Sequence, residues 1–526
     1  MPSGEAVSHG RWPISAGIRR VSLADILAGM LASFGISVLI WHLSGARTAF
    51  QIGGDEGYEL LKAKMVEGGY LLYVEIWNDQ PPLFTNILSL AFSCFGVDVG
   101  VARLVSTAFS AVLLFTFYCT CLLTVGRVAA WGGLAALMAV PEFLTLYVSV
   151  MLEVPTFTFG FLSLLSCLAD ERFRCPGKTF YRDVASGSRW TLIVSGLLFG
   201  CALQTKFTAL LVFPAIITGM IMTGHGVRIA GHPEIAEPGL DCNKLLQSVC
   251  HWSAGLITGF VVLMIANPEE AFGSLFRAHF SDAVSRISGA DPWLNLSMSV
   301  LFKEYPGIVF ALMGCVAGLY KRDRNVCVPV AMLVFALLIH LWHTPFWTYY
   351  YLHIGLPAAW LTGYFLSEAC GWLLRAGPFR ADPRYAGRLL VSGFAIFGCI
   401  SLLLFSVRKS AAISWVGSIP VDRGLMRSLV GDSQRGGWVY CKRPIYVFYS
   451  DLNSPPELAI VPLKRLWSGE LTEAEICRKL NYYKVDHIVM FSEQEEKSLA
   501  AVLRSDYVLE YRGIGVHYRS ARHNRK

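Results

Sequence analysis

Apolar runs separated by short polar turns occupy residues 1–407, longer and more evenly apolar than the amphipathic helices of a soluble protein. They predict membrane spans near Val21–Leu43, Val99–Val125, Val128–Tyr147, Val154–Ala169, Trp190–Leu203, Phe207–Met222, Ser248–Ala266, Tyr305–Tyr320, Val326–Trp342, Tyr351–Ala369 and Leu389–Val407. At ~20 apolar residues per crossing this makes about eleven spans. The first run follows Arg11, Arg19 and Arg20, is longer than a signal-peptide core and lacks a clear cleavage site, so it reads as a retained anchor with its basic flank inside.

The segment Pro82–Phe95, PLFTNILSLAFSCF, is apolar but short of a full crossing, and it opens on a proline pair. Counted as a span, it puts the basic loops Glu171–Arg189 (Arg172, Arg174, Lys178, Arg182, Arg189), Lys321–Arg324 and Arg375–Arg388 outside. Laid along the interface, it puts all three inside, as the positive-inside rule prefers. A juxtamembrane helix is therefore expected. The same parity requires a hairpin at Gln204–Lys206, with Lys206 at the outer membrane surface.

Beyond Val407 the pattern becomes mixed and polar, and residues 408–526 read as a small α/β domain. GWVYCK, PIYVFY, VDHIVMF and the YVLEYRGIGVHYRS stretch look like strands, while LTEAEICRKLNYY and SEQEEKSLAAVL look like helices. Thr472 with Glu475, and Ser492 with Glu495, have capping-box spacing. By parity this domain lies outside the membrane, extracytoplasmic, on the same face as the loop over residues 45–97.

Composition agrees. Of 526 residues 54% are hydrophobic, 13% aromatic and 16% charged, which fits an all-α polytopic membrane protein and excludes a soluble enzyme of this size. The formal charge of +7 lies in short basic runs between apolar segments, where it sets orientation, so nucleic acid is not an expected partner. Most of the fourteen cysteines lie in apolar segments (Cys94, Cys119, Cys121, Cys201, Cys315, Cys399) without a CxxC pair, which suggests neither a zinc site nor a disulfide framework. Cys441 and Cys477 share the polar region, where a single disulfide is open to them.

The stretch Gly53–Leu83, GGDEGYELLKAKMVEGGYLLYVEIWNDQPPL, is the acid-bearing insertion in this apolar first third, and it reads as an active-site loop. It holds Asp55 and Glu56, a short helical pattern, then Asp79 and Gln80 before Pro81-Pro82. Under the topology above, Glu153 and Lys206 reach the same face, with His343, Tyr349, Tyr350, Tyr351 and His353 of HTPFWTYYYLH. Each has a plainer reading. Asp55 and Glu153 suit helix starts, Lys206 suits a snorkelling turn, the aromatics suit an interfacial belt, and His340 suits a packed core. Convergence of acids, a cation and aromatics on one surface is what points to a transferase.

The order DEG, a short helix, PPL, an FG turn (Phe95-Gly96) and AR (Ala102-Arg103) resembles the GT-C glycosyltransferases. Within them it is most similar to the branch of protein O-mannosyltransferases, the aminoarabinose transferase of lipid A and related bacterial sugar transferases. The resemblance covers Ala46 to Leu211 and, more loosely, Phe346 to Pro357. It implies a cell-membrane enzyme (inner membrane in a Gram-negative cell) with juxtamembrane helices in its first outer loop, a polyprenyl-phosphate sugar donor, and a lipid, glycan or protein acceptor. It makes Asp55 the main acid, Glu153 the second acid and Lys206 a phosphate contact. Two departures stand out. Gln80 replaces the Lys or His that relatives often carry before the prolines, so that cation must come from elsewhere, and Glu153 replaces an expected Asp.

The chemistry suits the residues. Displacing a phosphate from an anomeric carbon needs a base near the incoming hydroxyl and a cation near the leaving group. Asp55 fills the first role, and Lys206 with Arg103 or Arg277 the second; one displacement inverts the centre. Alternatively Asp55, Glu56 and Glu153 hold a divalent metal. Asp79, Gln80, His343, Tyr349 and Tyr350 are expected to bind substrate, since aromatics offer an apolar face with a polar tip. A transporter or flippase of lipid-linked sugar is the rival reading; it calls for mid-span acids and paired halves. A scaffold without catalysis is a further one.

Overall fold

A computed structural model describes residues 21–172, 187–224, 242–265, 296–343, 345–375, 421–433 and 437–521, with helical residues 393, 396–402, 404–405 and 407–408. Arg11, Arg19 and Arg20, Arg174, Lys178 and Arg182, Arg277, positions 376–388 of the third basic loop and the start of the span expected from Leu389 lie outside the described residues.

Ser22 opens α1 (Leu23–Leu43) with a closed capping box. Its hydroxyl accepts from the Asp25 N–H while the Asp25 carboxylate accepts from the Ser22 N–H. Next come α2 (Glu56–Glu67), α3 (Leu83–Phe95) and α4 (Val99–Thr124), whose start is capped by Asp98. The expected span over Val128–Tyr147 is broken into α5 (Arg127–Met138) and α6 (Phe143–Val148). The cause is Pro141: it cannot donate to the helix ladder and disfavours the α conformation before it, and Glu142 follows at φ +62°.

Then follow α7 (Glu153–Arg172) and α8 (Gly187–Leu203). As the sequence requires, the chain turns at Gln204–Lys206 before a 3₁₀ turn leads into α9 (Phe213–Gly224). The helical body is completed by α10 (Cys242–Ile265), α11 (Ile308–Tyr320), α12 (Cys327–Trp342) and α13 (Tyr351–Arg375). Among the described residues, α1, α4 and the helical stretch Arg324–Trp342 are long and apolar enough to cross a membrane, and shorter apolar helices accompany them.

Small residues set how closely the helices approach. A Cβ on Gly196 would stand 1.9 Å from the Trp252 carbonyl oxygen, and one on Gly255 2.0 Å from that of Ile193. Gly200 and Gly259, each four residues on, meet backbone in the same way, so α8 and α10 cross with their main chains in contact. Phe117, Phe157, Phe161 and Trp360 fill the core of the body.

The C-terminal region carries a mixed four-stranded sheet in the order β1-β2-β4-β3: β1 (Val439–Cys441), β2 (His487–Met490), β3 (Tyr507–Arg512) and β4 (Val516–Ser520). β1 runs parallel to β2, and the other pairs are antiparallel. Thr472 and Glu475 form a complete capping box; Ser492 caps the Glu495 N–H, but the Glu495 carboxylate turns back to the Phe491 N–H instead. PIYVFY, expected as a strand, is the helix α14 (Pro444–Ser450), started by proline at its first position. Cys441 and Cys477 are both free thiols, so the disulfide open to them is not formed. Cys441 faces the Arg443 carbonyl instead, 3.2 Å away. One core spans the first loop and this region, with Leu60, Leu61, Phe84 and Phe92 packed beside Leu425, Ile445, Tyr446 and Phe448.

Candidate active site

Gly53 lets the loop before α2 press on the strand-like stretch before α7: a Cβ there would lie 2.7 Å from Met151 Sδ. That contact brings Asp55 towards Glu153. The anchor of this arrangement is Glu56, fully buried, which accepts both Arg103 Nε and Nη2 at 2.8 Å and also the N–H groups of Ile52 and Val150. Arg103 turns its Nη1 to the Ala46 and Ala49 carbonyls. With their donors and acceptors committed to each other and to backbone, Glu56 and Arg103 hold the loop; this geometry supports neither the acid nor the phosphate-contact expectation for them.

Asp55 stands at the N-cap of α2 but does not cap it. Its backbone is helical (φ −93°, ψ −1°) rather than extended, and its side chain makes no capping bond. Desolvation first, then the neighbouring Glu153, with smaller contributions from Glu59 and Asp79, push its pKa up to about 6 against the pull of Lys206. The five groups therefore share one field.

Glu153, the first residue of α7, is buried and ion-paired with Lys206 at the Gln204–Lys206 turn. The ammonium lies 5.1 Å and 5.6 Å from the ring centroids of Tyr349 and Tyr350. Burial opposes the Lys206 charge, yet Glu153, Tyr350 and Asp55 together hold its pKa above the ordinary lysine value. The turn is fixed to the proline pair: the Leu83 N–H donates to the Gln204 carbonyl at 3.0 Å. Behind Tyr350, the buried His340 and His353 share a 2.9 Å ring hydrogen bond, so His340 is a core residue as read, in a pair that was not.

Asp79 meets Lys464 at 3.3 Å and accepts from Gln80 Nε2 at 3.1 Å. The Gln80 carbonyl accepts from Tyr73 and Asn78 side chains, and its Oε1 is buried without a hydrogen-bond partner. His343 is exposed at the end of α12. Sequence reasoning missed Glu59, Lys62, Asn78 and Lys464. Lys62, almost wholly buried, bridges Glu59 Oε1 at 2.8 Å and Asn78 Oδ1 at 3.0 Å. Asp55, Glu59 and Lys62 fall at i, i+4 and i+7, a polar stripe on an otherwise buried helix, which was a usable signal.

The donor set does not fit the divalent metal expected for Asp55, Glu56 and Glu153. Glu56 is closed on Arg103, and the cation already facing Glu153 is Lys206. Among the described residues no group of three or more His, Cys, Asp or Glu converges as metal ligands.

Fold and site together define a largely helical protein in which, among the described residues, three helices are long and apolar enough to cross a membrane, and whose fold is shared with solved structures. The chain is similar to the crystal structure of ArnT from Cupriavidus metallidurans bound to undecaprenyl phosphate, at 15% identity and TM-score 0.57, over 93% of this chain and 97% of that one. It is also similar to the Archaeoglobus fulgidus oligosaccharyltransferase in the apo form, at 10% identity and TM-score 0.58, over 95% of this chain and 74% of the other. What they share at these identities is the fold. No protein-family model and no curated protein matches the chain by sequence.

Proposed function

We propose that this chain is an integral-membrane glycosyltransferase that moves a sugar from a polyprenyl-phosphate donor to a hydroxyl of a lipid, glycan or protein acceptor at the outer face of a cell membrane. One observation carries the reading. Of the five acids gathered here, Glu56, Glu59, Asp79 and Glu153 are each ion-paired, with Arg103, Lys62, Lys464 and Lys206. Among the described residues Asp55 has no such pair, and its pKa is raised to about 6. An unpaired carboxylate of raised basicity is what a general base near neutral pH needs.

In the reaction Asp55 accepts the proton of the acceptor hydroxyl as its oxygen attacks the anomeric carbon. The bond from that carbon to the phosphate oxygen breaks on the opposite side, its electron pair leaves with the phosphate, and the centre inverts. Lys206 has N–H donors beyond the one given to Glu153 and meets the growing charge on the phosphate. Glu153 orients the lysine, while Tyr349 and Tyr350 wall its other side. The undecaprenyl phosphate in the ArnT structure supports a lipid-phosphate donor for this fold. The acids lie in loops or at a helix start rather than mid-helix, which favours an enzyme over a transporter. The positive-inside rule puts the N-terminus in the cytoplasm and the C-terminal region outside.

The test is transfer of radiolabelled sugar from a panel of polyprenyl-phosphate sugars by purified wild type and Asp55→Asn, each with and without EDTA. Donor-dependent transfer that falls by a factor of about 10²–10⁴ in the variant supports the base. EDTA is expected to leave the wild-type rate unchanged, and a collapse with EDTA would return a metal to the mechanism. Equal transfer by both proteins removes Asp55 from it.

A further inference from the structure

The cations around this site differ in how tightly they are held. Arg103 is closed on Glu56 and backbone, Lys62 is buried between Glu59 and Asn78, and Lys206 is buried against Glu153. Lys464 is held most loosely. It makes one 3.3 Å ion pair, its side chain is 26% exposed, and its partner Asp79 keeps the Gln80 amide if the lysine turns away. It can turn to an incoming anion and leave its carboxylate partner hydrogen-bonded, whereas Lys206 must keep Glu153 and has only its remaining N–H groups to offer.

The backbone carrying Lys464, by contrast, is pinned. It belongs to α15 (Leu463–Trp467), begun after Pro462. The next residue, Arg465, donates to the Glu457 and Ile460 carbonyls at 2.8 Å and lays its guanidinium over Trp77, 5.4 Å from the ring centroid. Trp77 Nε1 in turn donates to Glu470 at 2.9 Å. The stretch 457–470 is thus clamped to the stretch just before Asp79, and the clamp presents Lys464 to Asp79, an acid that shares one field with Asp55, Lys206 and Tyr349. A fixed stem under a loosely paired head is the arrangement of a recognition residue.

We propose that Lys464, delivered from the C-terminal region, is a second cation for the phosphate of the lipid donor, so that the two regions of the chain together form one binding site. This rests on the donor class proposed above, and it assigns the cation that Gln80 does not supply. Lys206 meets the phosphate from the helical body and Lys464 meets it from the C-terminal region. Asp79 keeps the lysine in place while no donor is bound.

The test is binding of undecaprenyl phosphate to the purified full-length chain in nanodiscs, which is independent of turnover. Wild type is compared with Lys464→Gln, Lys464→Arg and, as a surface control, Lys497→Gln, each checked for an unchanged melting temperature. Lys464→Gln is expected to weaken binding about tenfold, Lys464→Arg to restore it to within about threefold, and the control to change nothing. Undecaprenol, which lacks the phosphate, should bind all four alike. Equal binding by wild type and Lys464→Gln overturns the proposal. So does a loss that the arginine fails to rescue and that comes with a lowered melting temperature, because Lys464 is then only part of the clamp. If wild type binds undecaprenyl phosphate but transfers no sugar, the glycosyltransferase reading fails while the Lys464 result still stands.

Discussion

At the scale of single residues, the desolvation that raises the Asp55 pKa, and so suits it to the proposed role of base, also opposes its ionisation in the fold. Its ionised form is the reactive one, so kcat/KM for transfer is expected to fall as pH drops through about 6. Stability runs the other way. Because the folded pKa lies above the ordinary 3.8, ionisation opposes folding: the penalty is absent below pH 3.8, grows between there and 6, and is complete above. Asp55→Asn is therefore expected to lose transfer yet stabilise the fold by about 3 kcal/mol at pH 8, and by less at pH 5. Melting curves at the two pH values check this, and a gap that does not widen with pH removes the raised pKa. The Glu153–Lys206 pair makes a second prediction. Lys206→Met leaves a buried carboxylate without its cation and should cost about 3 kcal/mol, most of which the double variant Glu153→Gln/Lys206→Met recovers. Additive losses in that cycle would mean that the two do not act as a pair.

At the scale of elements, the least readable piece was the most consequential one. PIYVFY has the β-branched and aromatic content of a strand, but a buried helix of seven residues has too few turns to show a period, and only its opening proline favoured helix. The same limit applies to α5 and α6: the apolar run was legible as one span, whereas Pro141 marked a break that hydropathy alone does not weigh. A short helix over α3 and a turn at Gln204–Lys206 were legible because charge placement constrains them from both sides. Where α14 meets α2, Gly57 allows the approach, since a Cβ there would stand 2.8 Å from the Ile445 nitrogen. Gly57→Ala should cost about 1–3 kcal/mol through that contact despite the better helix propensity of alanine. Gly35→Ala, in α1 with open space around it, should be neutral or stabilising. Thermal melts of both variants decide it, and an unharmed Gly57→Ala would mean that α14 does not press on α2.

At the scale of the whole molecule, four of the five acids of the site could be read from the sequence, while the pairing of each acid with its cation could not. Asp55, Glu153 and Lys206 stand out as charges in apolar surroundings, but that Glu56 belongs to Arg103, or Asp79 to Lys464, follows only from contacts 47 and 385 residues apart in the chain. The same long-range packing runs across residue 407, where the sequence pattern changes. Leu60 and Phe84 share a core with Ile445 and Phe448, Lys64 donates to the Phe448 carbonyl at 3.2 Å, and Phe50 stacks on Tyr449 at 4.9 Å. The first loop, which carries Asp55, therefore borrows stability from the C-terminal region. Ile445→Ala tests this, because removing a buried isoleucine side chain costs about 2–5 kcal/mol. If the two regions form one cooperative unit, amide exchange in α2 should accelerate along with exchange in α14, and the proposed transfer should weaken although Ile445 belongs to the apolar core. If they are independent, the faster exchange will stop at α14 and the rate of transfer will hold. The first outcome would give the C-terminal region a role at the acid cluster: it would hold the first loop, and Asp55 with it, in place.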